Sequence, residues 1–283
     1  MTQRLAGKVA IVTGGGGGIG KPAALAMVAE GAKLVINDPG RDSSGNSFAD
    51  AAVREIEAAG GQAVANYDTV TTMEGGQRIT DAAVKRFGRV DILLACAGNY
   101  KDRLLTDMTE DDWDSQVDVN LKGHFTCIRA AVPEMIKQAG GRIITIASRA
   151  AFGNPHGGFA YAAAKAGIMG ASAQMARELK EHGITVNCLL PSANTSLFPK
   201  TEQRGGSPLP KSGSLDPAYI APVIVYLCTD AAKSVTGQFI YASGTDVMIH
   251  HNPLVVQSIV RHAQKWTVDE LVEEIPSLLA FRS

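Results

Sequence analysis

Short apolar runs alternate with amphipathic stretches along this chain. Residues 9–13, 33–38, 62–67, 90–96, 142–147, 184–190 and 239–242 are brief and dense in Val, Ile, Leu or Ala, and Gly or polar residues bound them. That is the pattern of strands buried on both faces. Between them lie segments of helical periodicity: one after Gly20, then 48–59, 74–87, a stretch from Thr109 to about Lys137 with room for an interruption, 160–181 and 219–228. Thr109, followed by Glu110, Asp111 and Asp112, reads as a helix cap with acids in the first turn, and Gly60, Gly88 and Gly183 follow helix ends.

Strict strand–helix alternation predicts parallel strands joined by right-handed crossovers. The expected fold is α/β: a single doubly wound Rossmann-type domain over residues 1–250 with a central parallel sheet of about seven strands. A C-terminal helical tail, 251–283, extends the same domain. In it Thr267-Val268-Asp269-Glu270 reads as a capping box, with Val268, Leu271, Val272 and Ile275 on one apolar face. Residues 195–216, rich in Pro, Gly, Ser and Lys, read as a long loop and a candidate lid.

Composition adds exclusions. The 283 residues are 45% hydrophobic and 19% charged with a net charge of -1, so nothing marks a nucleic-acid surface. Cys96, Cys127, Cys188 and Cys228 lie far apart without a Cys-x-x-Cys pair, which predicts free thiols and neither zinc nor redox motif. His250-His251 lacks a third ligand at recognisable spacing, so no metal is expected. No apolar run reaches membrane-spanning length, no signal peptide is evident, and the last three residues are not a peroxisomal address. The expected compartment is the cytoplasm.

Candidate chemistry begins at the first strand, which runs into five glycines, Gly14 to Gly18, then Ile19 and Gly20 before an apolar helix. Backbone N–H groups and a helix N-terminus there would make an anion site that a diphosphate can approach closely. A flexible linker or a plain turn would also use glycine, but neither needs a buried strand before it and an apolar helix after it. Asp38 closes the second strand about twenty residues on, where a carboxylate accepts both hydroxyls of an adenosine ribose. That favours NAD; Arg41 keeps NADP open, and a simple turn-capping Asp is the bland alternative.

Tyr161 and Lys165 fall one turn apart on one helix face. An ammonium beside a phenol favours phenolate, and bringing a tyrosine from about 10 to near neutrality takes about 4 kcal/mol. Ser148 ends the fifth strand, at the sheet edge where open α/β sheets bind ligands, and can donate to a substrate carbonyl oxygen. Each of these residues taken alone also has an ordinary structural reading.

Together, Thr13-Gly14-x-x-x-Gly18-Ile19-Gly20, Asn120, Ser148 and Tyr161-x-x-x-Lys165 resemble the short-chain dehydrogenase/reductase family over roughly residues 5–250. The resemblance implies Tyr161 as general acid/base, Lys165 lowering its pKa and holding the nicotinamide ribose, Ser148 orienting the carbonyl, and Asn120 holding a water of a proton relay. It assigns Asp68 to the adenine, Ala97-Gly98 to the wall beside the cofactor, and Pro191 with Thr195 or Ser196 to the nicotinamide end. It also implies a homodimer or homotetramer acting on a small-molecule alcohol or ketone, with no nucleic-acid or membrane partner. Ala95-Cys96 replaces a pair of asparagines usual in the family, and Ser192 replaces a glycine. Asn37-Asp38-x-Gly40, residues 63–68 and Pro217-Ala218-Tyr219-Ile220-Ala221-Pro222 further resemble the (3R)-hydroxyacyl-CoA dehydrogenase part of peroxisomal multifunctional enzymes type 2. That likeness implies NAD and a 3-hydroxyacyl-CoA or a bulky alicyclic or steroid alcohol.

Other polar residues are weaker candidates. His156 lies between Ser148 and Tyr161 and reads as an exposed loop histidine. His124 reads as packing or interface. Lys200, Arg204 and Lys211 read as a solvated loop, with CoA phosphates as the alternative.

Overall fold

The computed structural model describes residues 3–153, 158–197 and 214–250. Its strands are β1 (Val9–Thr13), β2 (Lys33–Asn37), β3 (Gln62–Asn66), β4 (Ile92–Ala95), β5 (Gly141–Ile146), β6 (Ile184–Pro191), β7 (Phe239–Ser243) and β8 (Asp246–His250). The helices are α1 (Gly20–Ala29), α2 (Phe48–Ala58), α3 (Met73–Phe87), α4 (Glu110–Val117), α5 (Gly123–Lys137), α6 (Phe159–Glu178) and α7 (Ala221–Cys228).

One sheet carries the strands in the order β3-β2-β1-β4-β5-β6-β7-β8, all parallel except the last pair. This is the α/β doubly wound arrangement expected from the alternation. Two apolar layers clamp the sheet. Ala23, Met27, Ile56 and Ile224, from α1, α2 and α7, pack on one face; Ile79, Ile128, Met135 and Ala176, from α3, α5 and α6, pack on the other. All five residues of β1 are buried, as a central parallel strand requires.

One difference from the sequence reading has a physical cause. The sheet has eight strands among the described residues, not about seven, because the chain turns at Gly244 (φ +54) and returns as β8 antiparallel to β7. Val247, Met248 and Ile249 are too short an apolar run to signal a strand alone. Their burial alternates, with Val247 and Ile249 exposed on this edge. His250 is the last described residue of that strand. The tail 251–283 and most of the candidate lid lie outside the described residues.

The stretch from Thr109 is interrupted as allowed. Thr109 accepts from the Asp112 N–H, and Asp112 accepts in return from the Thr109 N–H, closing a capping box on α4. Between α4 and α5 the helix widens into one π turn, Asp118–Lys122, which carries Asn120. No helix among the described residues is long and apolar enough to cross a membrane. The four cysteines are free thiols.

Candidate active site

The strand order reverses between β1 and β4, so a crevice opens at their carboxyl ends. The glycine turn forms one wall. Gly14 (φ +65) lies against Ala97, and a Cβ on it would come within 3.0 Å of the Ala97 Cα. A Cβ on Gly20 would meet the Gly14 carbonyl oxygen at 2.3 Å, so the first residue of α1 has to be glycine. Among the described residues nothing lies within 4 Å of a Cβ on Gly17, and a Cβ on Gly18 would meet only the Thr195 side chain, at 3.9 Å. Neither a capping side chain nor an acidic residue occupies the first turn of α1, and Ile19 precedes it. The cradle therefore offers unhindered backbone to a diphosphate, which fits a dinucleotide. Thr13 supports it by accepting the Cys96 and Ala97 N–H groups at 3.1 Å each, a brace that stands where the family's paired amides are missing.

Asp38 is held at the same mouth. Its two carboxylate oxygens accept the Gly16 N–H at 3.1 Å and the Gly40 N–H at 2.9 Å, so the acid has a set orientation beside the glycine turn. Arg41 turns away to donate to the Gly45 carbonyl at 2.9 Å. Asp68 accepts from Asn66 and Arg78, in a network through which Asn37 ties the ends of β2 and β3 together. Pro191 ends β6 in register with Ala242. Thr195 reaches the glycine turn, whereas Ser196 is exposed.

Tyr161 and Lys165 occupy the first two turns of α6 and are both buried. The Lys165 Nζ donates to the Ile146 carbonyl oxygen at 2.8 Å, and it lies 5.3 Å from the centre of the Tyr161 ring. Burial pushes the Lys165 ammonium down to about 8. Ser148 follows two residues after Ile146, and its Oγ accepts the Ala150 N–H at 3.1 Å, which leaves its own O–H to donate elsewhere. Asn120, fully buried in the π turn, donates its amide to the Asn99 carbonyl, the Asn99 side chain and the Gln116 carbonyl. Its Oδ1 has no hydrogen-bond partner among the described residues. That oxygen and the Lys165 Nζ flank Gly98, lying 2.9 and 3.9 Å from where a Cβ would be.

The structure thus brings Asn120, Ser148, Tyr161 and Lys165 to the ends of β4 and β5, beside the glycine turn, Asp38, Ala97 and Gly98. His124 is a packing residue: it is buried, its Nε2 has no hydrogen-bond partner among the described residues, and burial, reinforced by the Lys165 charge, drives its pKa down to about 3. His156, Lys200, Arg204 and Lys211 lie outside the described residues. No metal cluster occurs among the described residues. Sequence reasoning missed Asn99, which anchors Asn120, and Tyr100, whose ring meets that of Tyr161. The only sequence signal for either was nearness to Gly98.

A family model described as short chain dehydrogenase matches residues 8–204. A peroxisomal multifunctional enzyme type 2 of Drosophila melanogaster is 39% identical over 251 residues, which are 87% of this chain and 41% of that protein. A 3-oxoacyl-(acyl-carrier-protein) reductase of Synechocystis sp. is 38% identical over 250 residues, covering 86% of this chain and 98% of that one. The crystal structure of a short chain dehydrogenase from Mycobacterium avium superposes with a TM-score of 0.86 at 33% identity, over 98% of this chain and 96% of the other. This chain spans 41% of the fly protein and 26% of a similar yeast peroxisomal hydratase-dehydrogenase-epimerase.

Proposed function

The chain belongs to the short-chain dehydrogenase family of nicotinamide-dependent oxidoreductases, and from that premise we propose that it interconverts a secondary alcohol and a ketone with NAD(H). One observation carries this reading: a buried ammonium, Lys165, joins the Tyr161 ring to the β5 backbone just before Ser148, at the mouth of an open glycine cradle.

In oxidation, Tyr161 as phenolate takes the proton of the substrate hydroxyl. Lys165 holds positive charge beside the ring and so favours the phenolate. Ser148 donates its O–H to the substrate oxygen and steadies the charge that develops there. The unpartnered Oδ1 of Asn120 and the Lys165 ammonium hold a water between them, which carries the proton outward. The cofactor, when bound, supplies the hydride acceptor, or the donor in the reverse direction. Gly14, Gly18, Ile19 and Gly20 seat its diphosphate and Asp38 takes the adenosine ribose hydroxyls. Asp68 would contact the adenine, Ala97 and Gly98 would wall the cofactor, and Pro191 and Thr195 would meet its nicotinamide end.

The Asp38 carboxylate favours NAD because its charge repels a 2′-phosphate, and Arg41 is engaged by Gly45. An NADP-dependent ketoreductase is the second reading, kept by the similarity to an oxoacyl reductase.

The substrate is a 3-hydroxyacyl-CoA or a bulky alicyclic or steroid alcohol. The acyl substrate in the name of the Synechocystis relative and the exposed apolar side chains of Leu104, Leu105, Phe152 and Phe159, which follow β4 and β5 in the chain, suit a large apolar substrate. The working form is a homodimer or homotetramer, which an exposed Phe125 on α5 suits. The experiment is an NAD-linked screen of 3-hydroxyacyl-CoA thioesters beside alicyclic and steroid alcohols, repeated with NADP. Turnover of one class with NAD supports the reading. NADH binding without turnover of any substrate would make the chain a nucleotide sensor instead.

A further inference from the structure

We propose that Tyr100 is a positioning residue, whose ring sets the orientation of the Tyr161 phenol, and that Gly158 and Asp102 hold Tyr100 in place. The proposal rests on the reading of Tyr161 as the acid–base group.

The two rings meet edge to face, with centroids 5.2 Å apart and planes at 89°. That is a favoured aromatic geometry. The helix backbone alone cannot supply such a constraint. Backbone and χ1 direct a tyrosine outward, but its χ2 is broad and two-fold, so neighbours decide the plane of the ring and the place of its oxygen. Within α6 the residues after Tyr161 are Ala162, Ala163 and Ala164, which have no side chain long enough to do so. Lys165, one turn further along the same helix, makes one contact with the ring, and Tyr100, from the segment after β4, makes another from outside the helix.

Tyr100 is itself held. Its hydroxyl donates to Asp102 Oδ1 at 3.2 Å. The Gly158 N–H, at the start of α6, donates to the Arg103 carbonyl at 3.0 Å, which ties the segment after β4 to the helix that carries Tyr161. Gly158 has φ +84, and a Cβ there would lie 2.8 Å from Cε2 of Tyr100 and 3.1 Å from its hydroxyl oxygen. Glycine is thus needed at 158 twice over, for the left-handed turn and for the room that Tyr100 occupies. Proton transfer demands a donor and acceptor within hydrogen-bond reach, and a misplacement of about 1 Å can cost roughly a hundredfold in rate.

The test compares Tyr100→Ala, Tyr100→Phe and Gly158→Ala in the full chain, once an active alcohol has been found. Readouts are kcat, KM for NAD, the pH profile of kcat and NADH binding by fluorescence. Tyr100→Ala should lower kcat by about 10- to 100-fold and leave KM for NAD and NADH binding near wild type. It should also move the acid limb of the profile to higher pH, because the phenol is no longer held beside the ammonium. Tyr100→Phe, which keeps the ring contact and loses only the bond to Asp102, should recover most of kcat and of the limb's position, and Gly158→Ala should follow Tyr100→Ala. Where Tyr100→Ala fails to fold, Tyr100→Leu, of similar bulk and no ring, is read in its place. A folded Tyr100→Ala with wild-type kcat and acid limb would overturn the proposal, as would Tyr100→Phe falling as far as Tyr100→Ala. Tyr161→Phe at wild-type rate would instead strike the reading of Tyr161 itself, whatever Tyr100 does.

Discussion

The Lys165 ammonium is 5.3 Å from the centre of the Tyr161 ring while it donates to the Ile146 carbonyl oxygen at 2.8 Å. One buried cation therefore links helix α6 to strand β5 at the place where the proposed chemistry occurs. Its charge is unfavourable for the fold, since desolvation lowers its pKa to about 8 from the ordinary lysine range near 10.4.

That lowered pKa makes stability depend on pH. Between about pH 8 and 10.4 the unfolded chain holds a proton on this lysine that the folded chain has shed, so this group's contribution rises with pH across the window. Below about 8 its destabilisation is complete, on the order of 3 kcal/mol, and above about 10.4 it vanishes. The stability of Lys165→Met relative to wild type, from urea unfolding, should be greatest near pH 7 and decline as pH rises from about 8 to 10. A difference that stays level across that range contradicts the assignment. The same variant should lose most of its NAD-linked activity, because the phenolate loses its cation.

His124 acts with the same sign in an acidic window. Its folded pKa of about 3 lies below the usual 6.5, so the unfolded state gains a proton first as pH falls. Stability from the neutral, buried imidazole is present above about pH 6.5 and is lost progressively as pH falls toward 3. Each pH unit there removes about 1.4 kcal/mol at the limit. His124→Leu, which also removes an unpartnered buried nitrogen, should unfold less steeply between about pH 6 and 4 than wild type. Equal slopes would place the imidazole in contact with water.

Asp38 sets cofactor choice through a carboxylate that the Gly16 and Gly40 N–H groups hold in place. Asp38→Ala should lower kcat/KM for NAD by roughly 10-fold or more, as loss of a charge-assisted contact does, while the value for NADP rises or holds. Steady-state kinetics with both cofactors give the ratio. An unchanged ratio means that the ribose hydroxyls are bound elsewhere.

Much of this was readable in the chain because it rests on local rules. The glycine turn, the strand-end Asp38 and Ser148, and the Tyr161/Lys165 spacing each follow from one element's geometry. Seven of the eight strands announced themselves as apolar runs. What stayed hidden depends on contacts between distant segments. Thr13 bracing Cys96 and Ala97, Asn99 anchoring Asn120, and Tyr100 meeting Tyr161 join residues from separate elements, and no periodicity encodes them. The π turn at Asn120 escaped because one residue in excess leaves the apolar pattern on both sides intact. Strand β8 escaped because an edge strand with alternating burial needs only three apolar residues.

The most direct measurement is NAD-linked turnover of a responsive secondary alcohol by Tyr161→Phe, with NADH binding followed in parallel. Removing the phenolic oxygen should cut kcat by about 10²- to 10⁴-fold, the range of general acid–base contributions, and leave NADH binding near wild type. Turnover at the wild-type rate would contradict the account.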